Sequence, residues 1–169
     1  MGFVEIKPEE ITLNPFDMIG KQWMLITAGD EEKCNTMTAS WGGLGIMWSK
    51  PTATAYIRQS RYTKEFVDNS EYFTLTVFDE SYRDALKYLG TVSGRDEDKI
   101  AKMGLTPYYV DGTVGFEEAK MIIVCKKVYE QVMGEENFLC QENLDKWYAD
   151  RDFHTMYLGA ITKVLIKEE

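Results

Sequence analysis

Asn35-Thr-Met-Thr-Ala-Ser-Trp41 reads as a β-strand with hydroxyls at alternate positions. Thr36, Thr38 and Ser40 would project from one face, because strand side chains alternate. Ala39 has little bulk, so a planar ring could approach the backbone there. If this strand lies at a sheet edge, its free N–H and C=O groups can pair with a ring that carries donors and acceptors. An ordinary Thr-rich, half-exposed strand has the same spacing.

Strand signals continue on either side of this stretch. Trp23 to Ala28 (WMLITA) precedes it, closed by Gly29 and Asp30, and Gly42-Gly43 ends it. Thr52 to Arg58 (TATAYIR) and Tyr72 to Phe78 (YFTLTVF) alternate with period two. Lys120 to Met133 is the longest stretch, and Met156 to Ile166 ends the fold. Helices are fewer. Thr63 is expected to cap a short one through Asn69, and Ser81 another through Leu89 with Gly90 past its end. Asp96 would cap a third, stopped by Gly104, and Leu144 to Tyr148 would be a short turn. Pro107 and Asp111-Gly112 mark loops. Six strands without regular βαβ alternation predict a mainly β fold, a barrel or sandwich with short helical insertions.

The chain has 169 residues, 44% of them hydrophobic and 28% charged, which suits one ordered domain spanning 1–169. No apolar run is long enough for a membrane span. The opening MGFVEIKPEE lacks the regions of a signal peptide, and Ile6 stands where a myristoylation motif wants Ser or Thr. The expectation is a cytoplasmic protein with no membrane partner. Cys34, Cys125 and Cys140 are irregularly spaced and His154 is the sole histidine, so no metal site is expected.

Net charge is −9, which argues against a nucleic-acid partner. The charge is unevenly spread. Lys33 to Lys64 holds five bases and no acid. A basic segment in an acidic protein suggests a site for a small anion. Within it, Ser60-Arg-Tyr-Thr-Lys64 follows the strand that ends at Arg58. Hydroxyls and N–H groups at a helix start, beside Arg and Lys, suit phosphate oxygens. A plain helix cap with solvated bases would look the same. Gly90 to Lys99 (GTVSGRDEDK) offers a tight turn at Ser93-Gly94 and a cation at Lys99, among three acids. Neither of the two commonest phosphate-loop patterns, GxGxxG and GxxxxGK[ST], is present.

The ordered set NTMTASW, RQSRYTKEF and GTVSGRDEDKIAKMGLTP resembles the flavin reductase-like family, over about Trp23 to Val164. The resemblance implies a Greek-key split β-barrel that binds FMN non-covalently and completes the pocket as a homodimer. It implies that Asn35 and the strand Thr36, Met37, Thr38, Ala39, Ser40 and Trp41 lie along the isoalloxazine and ribityl chain. Arg58, Ser60, Arg61, Tyr62 and Thr63 would surround the ribityl–phosphate end, and Ser93, Gly94 and Lys99 would close the phosphate site. DFHTMYLGAITKV roughly follows a family pattern that places a histidine near the cofactor, so His154 is the one catalytic candidate. Ala160-Ile161 replaces the commoner Glu-Val there, and no role for that acid carries over.

The resemblance further implies a flavin-dependent oxidoreductase. It would be an NAD(P)H:flavin reductase or a flavoredoxin-like electron carrier, with a small-molecule or protein redox partner. A non-catalytic flavin-binding module or dimeric interaction scaffold remains the alternative.

Overall fold

The computed structural model describes residues 2–168. Among them, ten strands run in the order β1 (Phe3–Ile6), β2 (Met24–Gly29), β3 (Cys34–Ala39), β4 (Gly42–Met47), β5 (Lys50–Arg58), β6 (Tyr72–Val77), β7 (Pro107–Val110), β8 (Thr113–Phe116), β9 (Met121–Val132) and β10 (His154–Lys167). Five short α-helices interrupt them: α1 (Pro15–Asp17), α2 (Tyr62–Asp68), α3 (Arg83–Thr91), α4 (Lys99–Lys102) and α5 (Gln141–Trp147). No described helix is long and apolar enough to cross a membrane.

The main sheet is antiparallel and has the order β3-β2-β6-β9-β10-β5-β4, with β1 paired to the far end of β10. Thus β3 and β4, joined only by Ser40 and Trp41, are its two edges. Alternate residues of nearly every strand converge on one core: Ile26 of β2, Met37 of β3, Ala55 of β5, Leu75 of β6, Ile123 of β9 and Tyr157 of β10. A sheet whose first and last strands feed one core has curled on itself.

The intervening residues on β2 and β9 face outward, yet they are buried too. Leu25, Ile122 and Val124 pack beneath Leu86 and Leu89 of α3 and Phe116 of β8. That second layer explains why Met121 to Cys125 reads as an unbroken apolar run rather than an alternation. Gly159 lets β10 cross the barrel core, because a Cβ there would stand 2.6 Å from that of Cys125. The β9–β10 register shifts at that point.

Several local expectations change. The Gly42-Gly43 pair does not end a strand but opens β4, whose edge position tolerates three glycines. Pro107 opens β7 and pairs with Phe116 instead of marking a loop, whereas Asp111 and Gly112 do turn the chain as expected, both with left-handed φ (48° and 75°), as the two-residue turn of the β7–β8 hairpin. Thr63 lies inside α2, whose N-cap is Arg61. Gly90 belongs to the last turn of α3, where a Cβ would meet Thr38 at 2.9 Å, so glycine lets the helix settle on β3. Asp98 caps α4 instead of Asp96, its side chain accepting from the Ala101 N–H.

Candidate cofactor site

The site is built along β3, the edge strand. Cavities lie at both of its ends. One of about 440 Å³ adjoins Cys34 and Asn35 and is also lined by Tyr62, Gly94 and Lys99. The other, of about 500 Å³, is lined by Ser40, Trp41, Tyr56 and Tyr148 among mostly apolar neighbours. Six strand residues separate the two ends, about 20 Å at the usual rise.

The Asn35 end gathers residues that are distant in sequence. The Asn35 amide donates to Thr63 Oγ1 at 2.9 Å, tying β3 to α2. Gly94 approaches so closely that a Cβ would lie 2.1 Å from Asn35 Oδ1 and 3.3 Å from Tyr62. Arg61 donates to the Gly90 carbonyl at 2.9 Å. Lys99 donates to the carbonyls of Leu89 at 2.7 Å and Val92 at 2.8 Å. Cations suit the carbonyl-rich end of a helix. Neither cation makes an ion pair among the described residues, although Lys99 is only 3% exposed. Burial, and then the neighbouring Arg61 charge, push the Lys99 ammonium down to about 8. Two cations held by carbonyls, and facing no carboxylate partner, form a site that an anion would complete.

The other nominated residues divide into three groups. Met37 and Ala39 face the barrel core and contribute only backbone to the edge. The Thr36 hydroxyl is fully buried, bonded to Thr27 Oγ1 at 2.8 Å, and that of Thr38 donates to the Leu86 carbonyl. Both share one face, as the strand period requires, but that face is covered by protein. Ser93 accepts the Arg95 N–H within its turn at 3.2 Å.

The side chains of Arg58 and Ser60 bond elsewhere, although the Arg61 N–H donates to the Arg58 carbonyl at 3.1 Å. The Arg58 guanidinium donates to the Asp152 carbonyl at 2.8 Å and to the Trp147 carbonyl at 2.9 Å. Asp152 accepts both the Ser60 N–H, at 3.1 Å, and its hydroxyl. These residues hold α5 and the loop after it against the barrel. The sequence carried no sign of Asp152 as a partner of Ser60, since 92 residues separate them.

At the Trp41 end, His154 is buried and shares a 2.7 Å hydrogen bond between Nδ1 and the Tyr148 hydroxyl. Its ring lies 5.1 Å from that of Trp41, which meets Trp147 edge-on at the same distance. Burial, with the charge of Arg58, pushes the imidazole down to about 4, so it is neutral at pH 7. Tyr148, expected only to close a short turn, is thereby a partner of His154. Between the two residues the chain turns at Arg151, where φ is 61° and the N–H donates to the Tyr148 carbonyl at 3.0 Å.

A profile described as the flavin reductase like domain matches residues 17–169. The chain belongs to the flavin reductase-like family. No curated protein shows a significant sequence match. Solved structures share the fold. An FMN-binding domain of a flavin reductases-like enzyme from Shewanella baltica is 14% identical, with a TM-score of 0.70, covering 98% of this chain and 77% of that one. The flavoredoxin of Desulfovibrio vulgaris is 23% identical, with a TM-score of 0.69 over 98% of this chain and 78% of the other. A Methanosarcina acetivorans flavoredoxin is 17% identical at the same TM-score, covering 98% and 75%. The split-barrel expectation therefore holds, and membership of the flavin reductase-like family makes flavin-linked redox chemistry the general activity of the chain.

Proposed function

We propose that the chain binds FMN non-covalently along β3 and works as an electron-transferring flavoprotein of the flavoredoxin kind. The phosphate lies at Arg61 and Lys99, and the isoalloxazine at the Ser40–Trp41 end. The observation that carries this reading is the meeting of buried Lys99 and half-buried Arg61 at the end of α3, neither of them in an ion pair among the described residues. The close approach of Gly94 to Asn35 adds a cradle that any larger residue would fill. Bound FMN would accept two electrons and hand them on; the protein supplies binding, orientation and a defined electrostatic setting. Arg61 and Lys99 hold the phosphate by charge-assisted hydrogen bonds. The free edge of β3 offers backbone groups to the ring, and neutral His154 adds no positive charge beside it.

The purified protein, or the protein reconstituted with FMN, is expected to show a bound-flavin absorbance spectrum. If neither preparation retains flavin, the reading fails.

The donor is a redox protein or NAD(P)H. The carrier reading is favoured because the cavity at the ring end is lined by no charged residue, leaving little to hold a dinucleotide's phosphates. Anaerobic stopped-flow mixing of the FMN form with NADH and NADPH separates the two. Fast bleaching marks an NAD(P)H:flavin reductase, and its absence marks a carrier.

We further propose a homodimer, in which a second copy covers the ring end. Phe16 is 86% exposed at that cavity, and Trp41 and Trp147 lie half-exposed beside it. Ile46 and Trp48 stand out from the adjoining β4–β5 hairpin. Light scattering on the eluting protein is expected to give twice the chain mass, and a monomer would refute this part.

A further inference from the structure

The cavity beside Lys99 extends beyond that cation. It continues past the start of β3, and its wall changes sign. Its lining among the described residues holds Asp30, Glu31, Glu32, Glu97 and Asp98, against the two bases Lys33 and Lys99. Glu97 is paired with Lys102 at 2.9 Å. Asp30, Glu31, Glu32 and Asp98 make no ion pair among the described residues. Asp30, Glu31 and Glu32 are exposed in the loop that leads directly into Cys34. A volume of about 440 Å³ is ample room for more ligand than one phosphate.

We propose that this acidic wall sets flavin choice by charge, admitting FMN and turning away FAD. The inference rests on the assignment of the phosphate to Arg61 and Lys99. A flavin phosphate is the terminal group of FMN, and its charge is met by those two cations. In FAD the chain goes on through a second phosphate to adenosine. With the ring at Trp41 and the first phosphate at Lys99, that continuation enters the part of the cavity bounded by Asp30, Glu31 and Glu32. The second phosphate then meets carboxylates instead of bases. The cavity has space for the added group and lacks the charge to hold it. Discrimination of this kind works through repulsion of the wrong ligand as much as through attraction of the right one.

In water, one carboxylate about 8 Å from an added unit charge changes affinity by about twofold, and salt weakens this further. Several uncompensated carboxylates together are expected to favour FMN over FAD by roughly tenfold. The test is quenching of flavin fluorescence on titration with the flavin-free full chain, using FMN, FAD and riboflavin. The double variant E31Q/E32Q is measured alongside, since both residues are exposed and outside the proposed phosphate contacts. The expected result is FMN tightest, FAD about tenfold weaker, and a FAD deficit that shrinks about threefold in the variant and in high salt. FMN affinity should change little. Equal affinity for FMN and FAD in the unaltered protein overturns the inference while leaving FMN binding intact. A FAD deficit unchanged in the variant also overturns it, because size and not charge would then exclude the dinucleotide. If FMN binds no better than riboflavin, the phosphate assignment itself is wrong and the inference falls with it.

Discussion

Arg61 and Lys99 meet at the end of α3, one on the Gly90 carbonyl and the other on those of Leu89 and Val92. Burial, and after it this unfavourable proximity, lowers the Lys99 ammonium to about 8. A bound phosphate would reverse that shift, since a nearby anion stabilises the charged form. Binding FMN above pH 8 therefore takes up a proton. FMN affinity is expected to fall as pH rises from 7.5 to 9.5, by up to about tenfold per unit above 8. Riboflavin, which lacks the phosphate, should bind with no such slope. Titrations of both flavins across this range check the point, and K99M should remove the difference between them. Parallel slopes for the two ligands would place the phosphate elsewhere.

Gly94 and Asn35 offer a second test, one of packing. A methyl at position 94 would stand 2.1 Å from Asn35 Oδ1, and Asn35 is itself buried and bonded to Thr63. Gly94→Ala must displace that amide and break the bond, at a cost of about 1–3 kcal/mol. The melting temperature should drop by roughly 3–10 °C, and flavin affinity should fall with it. Asn35→Ala alone also costs stability, but the double variant should be more stable than the sum of the two effects predicts. Strict additivity in a thermal-melt cycle would show that the two residues do not press on each other.

How much of this could be read from the chain follows from the range of each interaction. The strands β5, β6 and β9 announce themselves through local alternation or apolar runs, because their neighbours impose burial on every turn of the pleat. Strand β4 is invisible locally. Its three glycines resemble a turn, and only pairing with β5 makes it a strand. The site shows the same division. Lys33 to Lys64 marks itself as basic through composition, yet the feature that matters is Arg61 reaching a helix end that also holds Lys99. Folding decides that meeting, through the packing of α3 on β3 at Gly90 and Thr38. Likewise Arg58 looks as basic in the sequence as Arg61. Its guanidinium is drawn off by two backbone carbonyls some 90 residues away.

That difference between two arginines is itself measurable. Arg61→Ala removes a phosphate partner, so it should weaken FMN by about one to two decades and leave riboflavin nearly unchanged. Arg58→Ala instead releases the Trp147 and Asp152 carbonyls and loosens α5. It should weaken FMN and riboflavin alike, and it should raise protease cleavage near Gln141 to Arg151. If the Arg58 variant discriminated against the phosphate as strongly as the Arg61 variant, the two roles would have been assigned the wrong way round.

His154 supplies the last prediction, through acid stability. Its imidazole is held at about 4, against 6.5 in an open chain, chiefly by burial. Between pH 6.5 and 4 the unfolded chain therefore binds a proton that the folded protein refuses. Stability is full above 6.5 and falls as the pH drops through this window, by roughly 2 kcal/mol once solvent screening is allowed for. Because His154 is the sole histidine, its ring resonances report the titration without overlap. They should stay those of a neutral ring down to about pH 5. Tyr148→Phe removes the hydrogen bond to Nδ1 and should alter the tautomer seen by nitrogen shifts, since that bond fixes which nitrogen carries the proton. His154→Gln should flatten the difference in stability between pH 6.5 and 4.5 relative to the parent. A histidine that titrates near 6.5 in the folded protein would mean that the ring is open to water, and the pocket around Trp41 and Tyr148 would then be looser than the packing indicates.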